Sequence, residues 1–125
     1  MNLLNTANWV PSTGLGAVPV YAEFFNELMK NALNMTQDTL TGAGAVSTDT
    51  RITWLVTTGA DALTLADGYE GQEKFIIMKT DGGDGTLTPA NLGNGSTLTF
   101  DNNDTAHLLF TNGSWYYMGG NATLA

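Results

Sequence analysis

Ala106-His107-Leu108-Leu109-Phe110-Thr111-Asn112-Gly113-Ser114-Trp115-Tyr116-Tyr117-Met118 is the stretch that decides the fold. Asn-Gly between two apolar runs favours a two-residue type I′ turn, because both central residues must take positive φ. With Thr111 opposite Ser114, Phe110 pairs with Trp115 and Leu108 with Tyr117 on one side of the hairpin. Leu109 then pairs with Tyr116, and His107 with Met118, on the other. Both faces of this hairpin are apolar.

Upstream, Gln72 to Thr80 repeats that property, with Phe75 and Ile77 pointing one way and Ile76 and Met78 the other. Shorter alternating runs surround it. Ile52, Trp54 and Val56 alternate with Arg51, Thr53, Leu55 and Thr57; Leu63 and Leu65 alternate with Ala62 and Thr64; Leu98 and Phe100 alternate with Thr97 and Thr99. Between the runs lie Asp67-Gly68, Gly82-Gly83-Asp84-Gly85, Asn94-Gly95, Asp101 to Asp104 and Asn112-Gly113, which supply positive φ or side-chain caps. Strands this short and this closely spaced predict a mainly β domain, an antiparallel β-sandwich or barrel of jelly-roll or tulip-like form.

A chain of 125 residues has room for one such domain. Ahead of it, residues 1–20 read as an extended arm broken by Pro11, Gly14, Gly16 and Pro19. The domain itself is expected over 21–125. It includes an amphipathic helix at 21–34, in which Tyr21, Phe24, Phe25, Leu28, Met29, Ala32 and Leu33 share one half of the cylinder. That segregation predicts a helix covering an apolar surface. Thr36 to Thr50 reads as a Thr- and Gly-rich connection.

Composition narrows the function classes. The net charge is −8, and beyond residue 60 the only cations are Lys74 and Lys79. Such a surface neutralises few phosphates, which argues against nucleic acid and against an anionic membrane. With no cysteine, the chain can form neither disulfides nor thiolate metal sites. The first twenty residues lack both a basic start and a continuous apolar run, so neither a secretory signal nor a membrane span is expected there.

Catalytic chemistry finds little to build on. His107, the single histidine, is flanked by apolar strand residues and not by the partners of a triad or a zinc site. Asp81-Gly82-Gly83-Asp84-Gly85 is similar to a fragment of a calcium-binding Gly-Asp repeat, but one copy reads better as a hairpin turn, as do Asp101 and Asp104. No catalytic residue, metal or cofactor is expected, and the chain reads as a non-enzyme. Trp54, Trp115, Tyr116 and Tyr117 are expected mainly in strand interiors or at a subunit contact, with a carbohydrate platform as the alternative.

From Ala62 onward, Leu63-Thr64-Leu65, Gly68, Gly71-Gln72, Lys74, Ile76, Gly82, Leu87-Thr88-Pro89, Asn91, Thr97-Leu98-Thr99-Phe100, His107-Leu108, Gly113 and Trp115 form a further pattern. It resembles a β-module of tailed-bacteriophage virion proteins, found in capsid decoration (cement) proteins and in fibre-like appendages. The likeness runs from near Thr50 to Gly120 and leaves out residues 1–40. It implies a homotrimer on the exterior of a phage head, made in the host cytoplasm, with the major capsid protein as partner. A cement protein acts by bridging neighbouring coat subunits. In that reading the arm is the capsid contact, through Leu3, Leu4, Trp9 and Val10, by strand addition and pocket filling. The second apolar face needs a cover, either the helix or a neighbouring subunit. A subunit interface at Phe75, Ile77, Leu109, Tyr116 and Met118 is the favoured reading. The alternative function is a receptor- or glycan-binding module of a phage fibre or other appendage.

Overall fold

The computed structural model describes residues 22–29 and 36–125. The chain divides into two compact units, Met1–Asn34 and Met35–Ala125. The boundary thus follows the helix, where the sequence placed the start of the β-domain before it. In the first unit, residues 22–29 are helical and every one of them is exposed, including Phe24 (50%) and Phe25 (59%).

The second unit is a mainly β sandwich of ten strands. β1 (Gln37–Thr41), β2 (Gly44–Val46), β3 (Ile52–Val56), β4 (Asp61–Leu65), β5 (Glu73–Thr80) and β6 (Gly85–Pro89) alternate between two sheets. They are followed by β7 (Leu98–Phe100), β8 (Thr105–Thr111), β9 (Ser114–Gly120) and β10 (Thr123–Leu124). The first sheet has the order β1-β3-β5-β8-β9 and the second β10-β7-β6-β4-β2.

The sheets are mixed, which corrects the antiparallel expectation, and neither closes into a barrel. β1, β3 and β5 pair in parallel, as do β2, β4 and β6. The chain thus winds three times from one sheet to the other before β7 to β10 add on antiparallel. The turns that read as hairpins mostly carry the chain across the sandwich. Asp81 to Asp84 is one of these. A Cβ on Gly82 would lie 2.3 Å from the Thr57 carbonyl oxygen, and one on Gly83 (φ +151°) 2.5 Å from the Gly59 carbonyl carbon. The two glycines let this turn stack on the turn of the preceding coil. Thr57 Oγ1 fixes it, donating to Gly83 O at 2.6 Å and accepting from Gly82 N at 3.0 Å.

Alternation fills the space between the sheets. Leu55, Leu63, Leu65, Ile76, Met78, Leu87, Leu98, Phe100, Leu108 and Trp115 are all at most 1% exposed. Trp115 packs edge-on against Phe110 at 5.2 Å, and its Nε1 donates to Ala66 O at 2.8 Å. That satisfies the one polar group such a ring carries inward.

The terminal hairpin has the predicted register from Thr111–Ser114 through Leu108–Tyr117, with Asn112 and Gly113 both at positive φ. His107 is the exception. A bulge between His107 and Leu108 sets it opposite Gly119 in place of Met118. An extra residue of this kind shifts everything beyond it by one position.

Candidate functional site: the outer face of the first sheet

Strand periodicity places one side chain in two on the outside of the first sheet. In β3 the inward positions are Thr53 and Leu55, so Ile52, Trp54 and Val56 face outward and are half-buried. In β5 the outward residues are Glu73, Phe75, Ile77 and the exposed Lys79; in β8, His107 and Leu109; in β9, Tyr116 and Met118. Met118 is 57% exposed. Cross-strand register joins these residues into rows. Ile52, Phe75 and His107 form one; Trp54 and Ile77 form a second; Glu73, Leu109 and Tyr116 form a third.

All five residues expected at a subunit interface, Phe75, Ile77, Leu109, Tyr116 and Met118, therefore lie on one face. The sequence did not extend that face to Ile52, Trp54 and Val56. Alternation pairs the apolar Ile52, Trp54 and Val56 against Arg51, Thr53, Leu55 and Thr57, yet it is Thr53 and Leu55 that turn inward, and Trp54, expected in a strand interior or at a subunit contact, lies on the outer face. Trp115 and Tyr117 do turn inward, Tyr117 packing against the core with its hydroxyl on Ala122 O at 3.0 Å. Leu3, Leu4, Trp9 and Val10 lie outside the described residues.

A polar cluster sits within this face. Arg51 Nη2 lies 2.7 Å from Glu73 Oε1, and its guanidinium carbon 5.2 Å from the Phe75 ring centre. Phe75 stacks on His107 at 4.4 Å with the rings 4° from parallel. His107 Nε2 comes within 3.5 Å of Glu73 Oε2, too far for a well-formed hydrogen bond. Arg51 and His107 thus both contact the Phe75 ring, and both approach the one carboxylate of Glu73. Beside this cluster Phe75, Ile77, Thr105, His107, Gly119 and Gly120 line a shallow groove of about 400 Å³. Gly120 (φ +125°) has no room for a side chain, since a Cβ would meet Thr105 O at 2.2 Å.

Two other groupings have chemistry worth stating. Asp81, Asp84 and Asp101 bring carboxylate oxygens within 4.8 Å of one another, all exposed. Oxygen donors of this kind suit a hard cation. Their observed bonds are those of turns, however: Asp81 Oδ1 accepts from Gly83 N, and Asp101 Oδ1 from Asn102 N. The second grouping surrounds Lys74, which is 0% exposed. Its Nζ donates to Thr50 O at 2.8 Å and Thr50 Oγ1 at 2.9 Å. Thr50 and Thr53 in turn donate to Asp38 Oδ1 at 2.9 and 2.6 Å. Burial pulls the Lys74 pKa down to about 8, with Asp38 and Asp49 opposing the shift. Gln72, also buried, donates to Thr48 O at 2.7 Å. Together these two side chains tie the 47–50 crossover to β5.

The chain matches no protein-family model, no curated protein and no solved structure. Fold and site together define a two-sheet β-sandwich protein with one unusually apolar exterior face.

Proposed function

We propose that this chain is a virion structural protein, a capsid decoration (cement) protein that stabilises a phage head by bridging neighbouring coat subunits. The observation that carries the reading is the half-exposed apolar face built by Ile52, Trp54, Phe75, Ile77, Leu109, Tyr116 and Met118. Contiguous apolar surface of this kind marks a contact with another macromolecule. The likeness to phage virion modules supplies the partner, the major capsid protein, and the homotrimeric state.

Magnitude bears on how such a protein would hold. Four strands at about 4.8 Å and seven residues at about 3.3 Å give a face of roughly 14 by 23 Å. That is on the order of 300 Å², less than half of the ~800 Å² that each partner contributes to a standard interface. One face alone is thus too small for tight binding. A second attachment, the N-terminal arm, makes up the difference, and linked contacts raise the effective concentration.

Removing residues 2–18 tests the division of labour. The truncated chain should remain folded and self-associated, yet fail to sediment with purified phage heads. Heads that retain it would refute the arm as the shell contact. A second reading, a glycan- or receptor-binding appendage module, is favoured by the half-exposed Trp54 beside Ile77. A glycan-array signal abolished by Trp54→Ala, with no affinity for heads, would select it.

A further inference from the structure

His107 Nε2 is the one buried side-chain nitrogen or oxygen among the described residues that has no hydrogen-bond partner. Folded chains rarely leave such an atom, because burial removes its water and nothing replaces it. Here the surroundings hold a partner in reserve. Arg51 Nη2 occupies Glu73 Oε1 at 2.7 Å, while Glu73 Oε2 lies 3.5 Å from His107 Nε2. A neutral imidazole has one proton for its two nitrogens, whereas the imidazolium donates from both. Protonation therefore turns this long contact into one that a small side-chain adjustment closes to a charge-assisted hydrogen bond.

Few other charges reach the ring. β5 brings Glu73 and, beyond Ile77, Lys79; the residue ahead of β3 brings Arg51. β9 sets Gly119 opposite His107, with the Tyr116 phenol one row away. On β8 itself Thr105 and Leu109 are uncharged, and Asp104 Oδ2 accepts from Asp101 N within its own turn. With the ring neutral, Arg51 and Glu73 cancel. With it protonated, the cluster carries one net positive charge.

We infer that protonation of His107 loosens the contact made by the outer face of the first sheet, so that copies of the chain held there come apart as the pH falls below neutral. The inference rests on the assembly reading and gives that face its control. The side chains of Arg51, Glu73 and His107 are 34%, 40% and 34% exposed, so a second copy seated on them removes their remaining water. A balanced ion pair survives that loss far better than a cluster with a net charge. The groove beside the ring brings no compensating anion, being walled by Phe75, Ile77, Thr105, Gly119 and Gly120. The separated chain consequently binds the proton more tightly than the assembled one, and by reciprocity the proton weakens assembly. Histidine is the side chain that ordinarily changes charge between pH 5 and 8, and this chain contains one.

The test is sedimentation velocity of the full chain over a concentration series at pH 7.5 and pH 5.5, both at about 0.15 M salt so that screening is constant. The wild-type dissociation constant should rise roughly tenfold or more on acidification, within the limit of about tenfold per pH unit for each proton taken up. His107→Phe keeps a ring on Phe75 but cannot titrate, so its dissociation constant should be the same at both pH values. Thermal melts at each pH confirm folding, and His107→Gln replaces the phenylalanine variant if that one unfolds or no longer associates. A wild type that associates equally or more tightly at pH 5.5 overturns the inference. So does a variant that loosens as much as wild type, which would assign the acid effect to carboxylates. Either result leaves the assembly reading standing, whereas a wild type that is monomeric at both pH values overturns that reading and this inference with it.

Discussion

Lys74 is where a single residue's chemistry reads out as stability. Its ammonium is enclosed, held by Thr50, and has a pKa near 8 against an ordinary 10.5. Below pH 8 it is protonated in both folded and unfolded chains, and no pH dependence arises from it. Between 8 and 10.5 the unfolded chain binds more protons than the folded one, so stability rises with pH. The full gain is on the order of 3 kcal/mol, at about 1.4 kcal/mol per pKa unit. Tyr117 works in the opposite direction. Burial raises its pKa above 10, so its contribution is lost as the unfolded phenol ionises first. The window for the lysine is therefore pH 8 to 10. Denaturant titrations there should give a midpoint that climbs with pH in the wild type and stays level in Lys74→Met. A wild-type midpoint that is level or falling would show that the lysine is solvated. Little of this was legible beforehand. Lys74 occupies an inward strand position between Glu73 and Phe75, and alternation alone does not say that a cation will be accepted there. It depends on Thr50 and Asp38, which come from other strands and loops.

At the scale of elements, the terminal hairpin was readable because its determinants are local. Asn112-Gly113 sets the turn, and the turn sets the register as far as the bulge. β1, β2 and β6 were not readable. Gln37 to Val46 contains few large apolar residues, and its strands hold their place only by pairing with β3 and β4. The winding was hidden for a related reason. Equivalent positions Gln37, Ile52 and Phe75 are 15 and 23 residues apart, so no repeat is visible along the chain. What the sequence did contain was the double glycine at 82–83, read as a turn but in fact a point of backbone contact between coils. That contact makes a prediction. Gly83→Ala forces a Cβ into the Gly59 peptide and should cost about 3 kcal/mol or more, lowering Tm by over 10 °C in a domain of this size. Gly71 (φ +88°) has open space around it, so Gly71→Ala should cost only the left-handed backbone penalty of about 1–2 kcal/mol. Calorimetry of the two variants separates them. Equal losses would mean that the turns do not stack.

For the whole molecule, the sandwich is closed on its inside and unfinished on its outside. The first sheet's exterior was foreseen from two strands with apolar residues on both phases. Its breadth was not, because it arises from β3 joining β5 in parallel. If this face holds copies of the chain together, the association has a recognisable salt dependence. Each copy carries −8, and among the described residues the face itself has Arg51 paired with Glu73, His107 beside them and Lys79 at the end of β5. Bringing copies together therefore adds like-charge repulsion from the surroundings without ion pairs across the contact to offset it. At about 0.01 M ionic strength the screening length is ~30 Å and the repulsion spans the whole subunit; at 0.15 M it is ~8 Å. Light scattering across that range should find association strengthening with salt, the reverse of an interface built on charge pairs. Ile77→Glu, placed in the middle of the face, should leave monomers at either salt concentration. Its Tm should stay within a few degrees of wild type, since the position is half-exposed and contributes little to the core. A wild-type chain that scatters as a monomer throughout, or an Ile77→Glu variant that still associates, would place the contact elsewhere on the molecule.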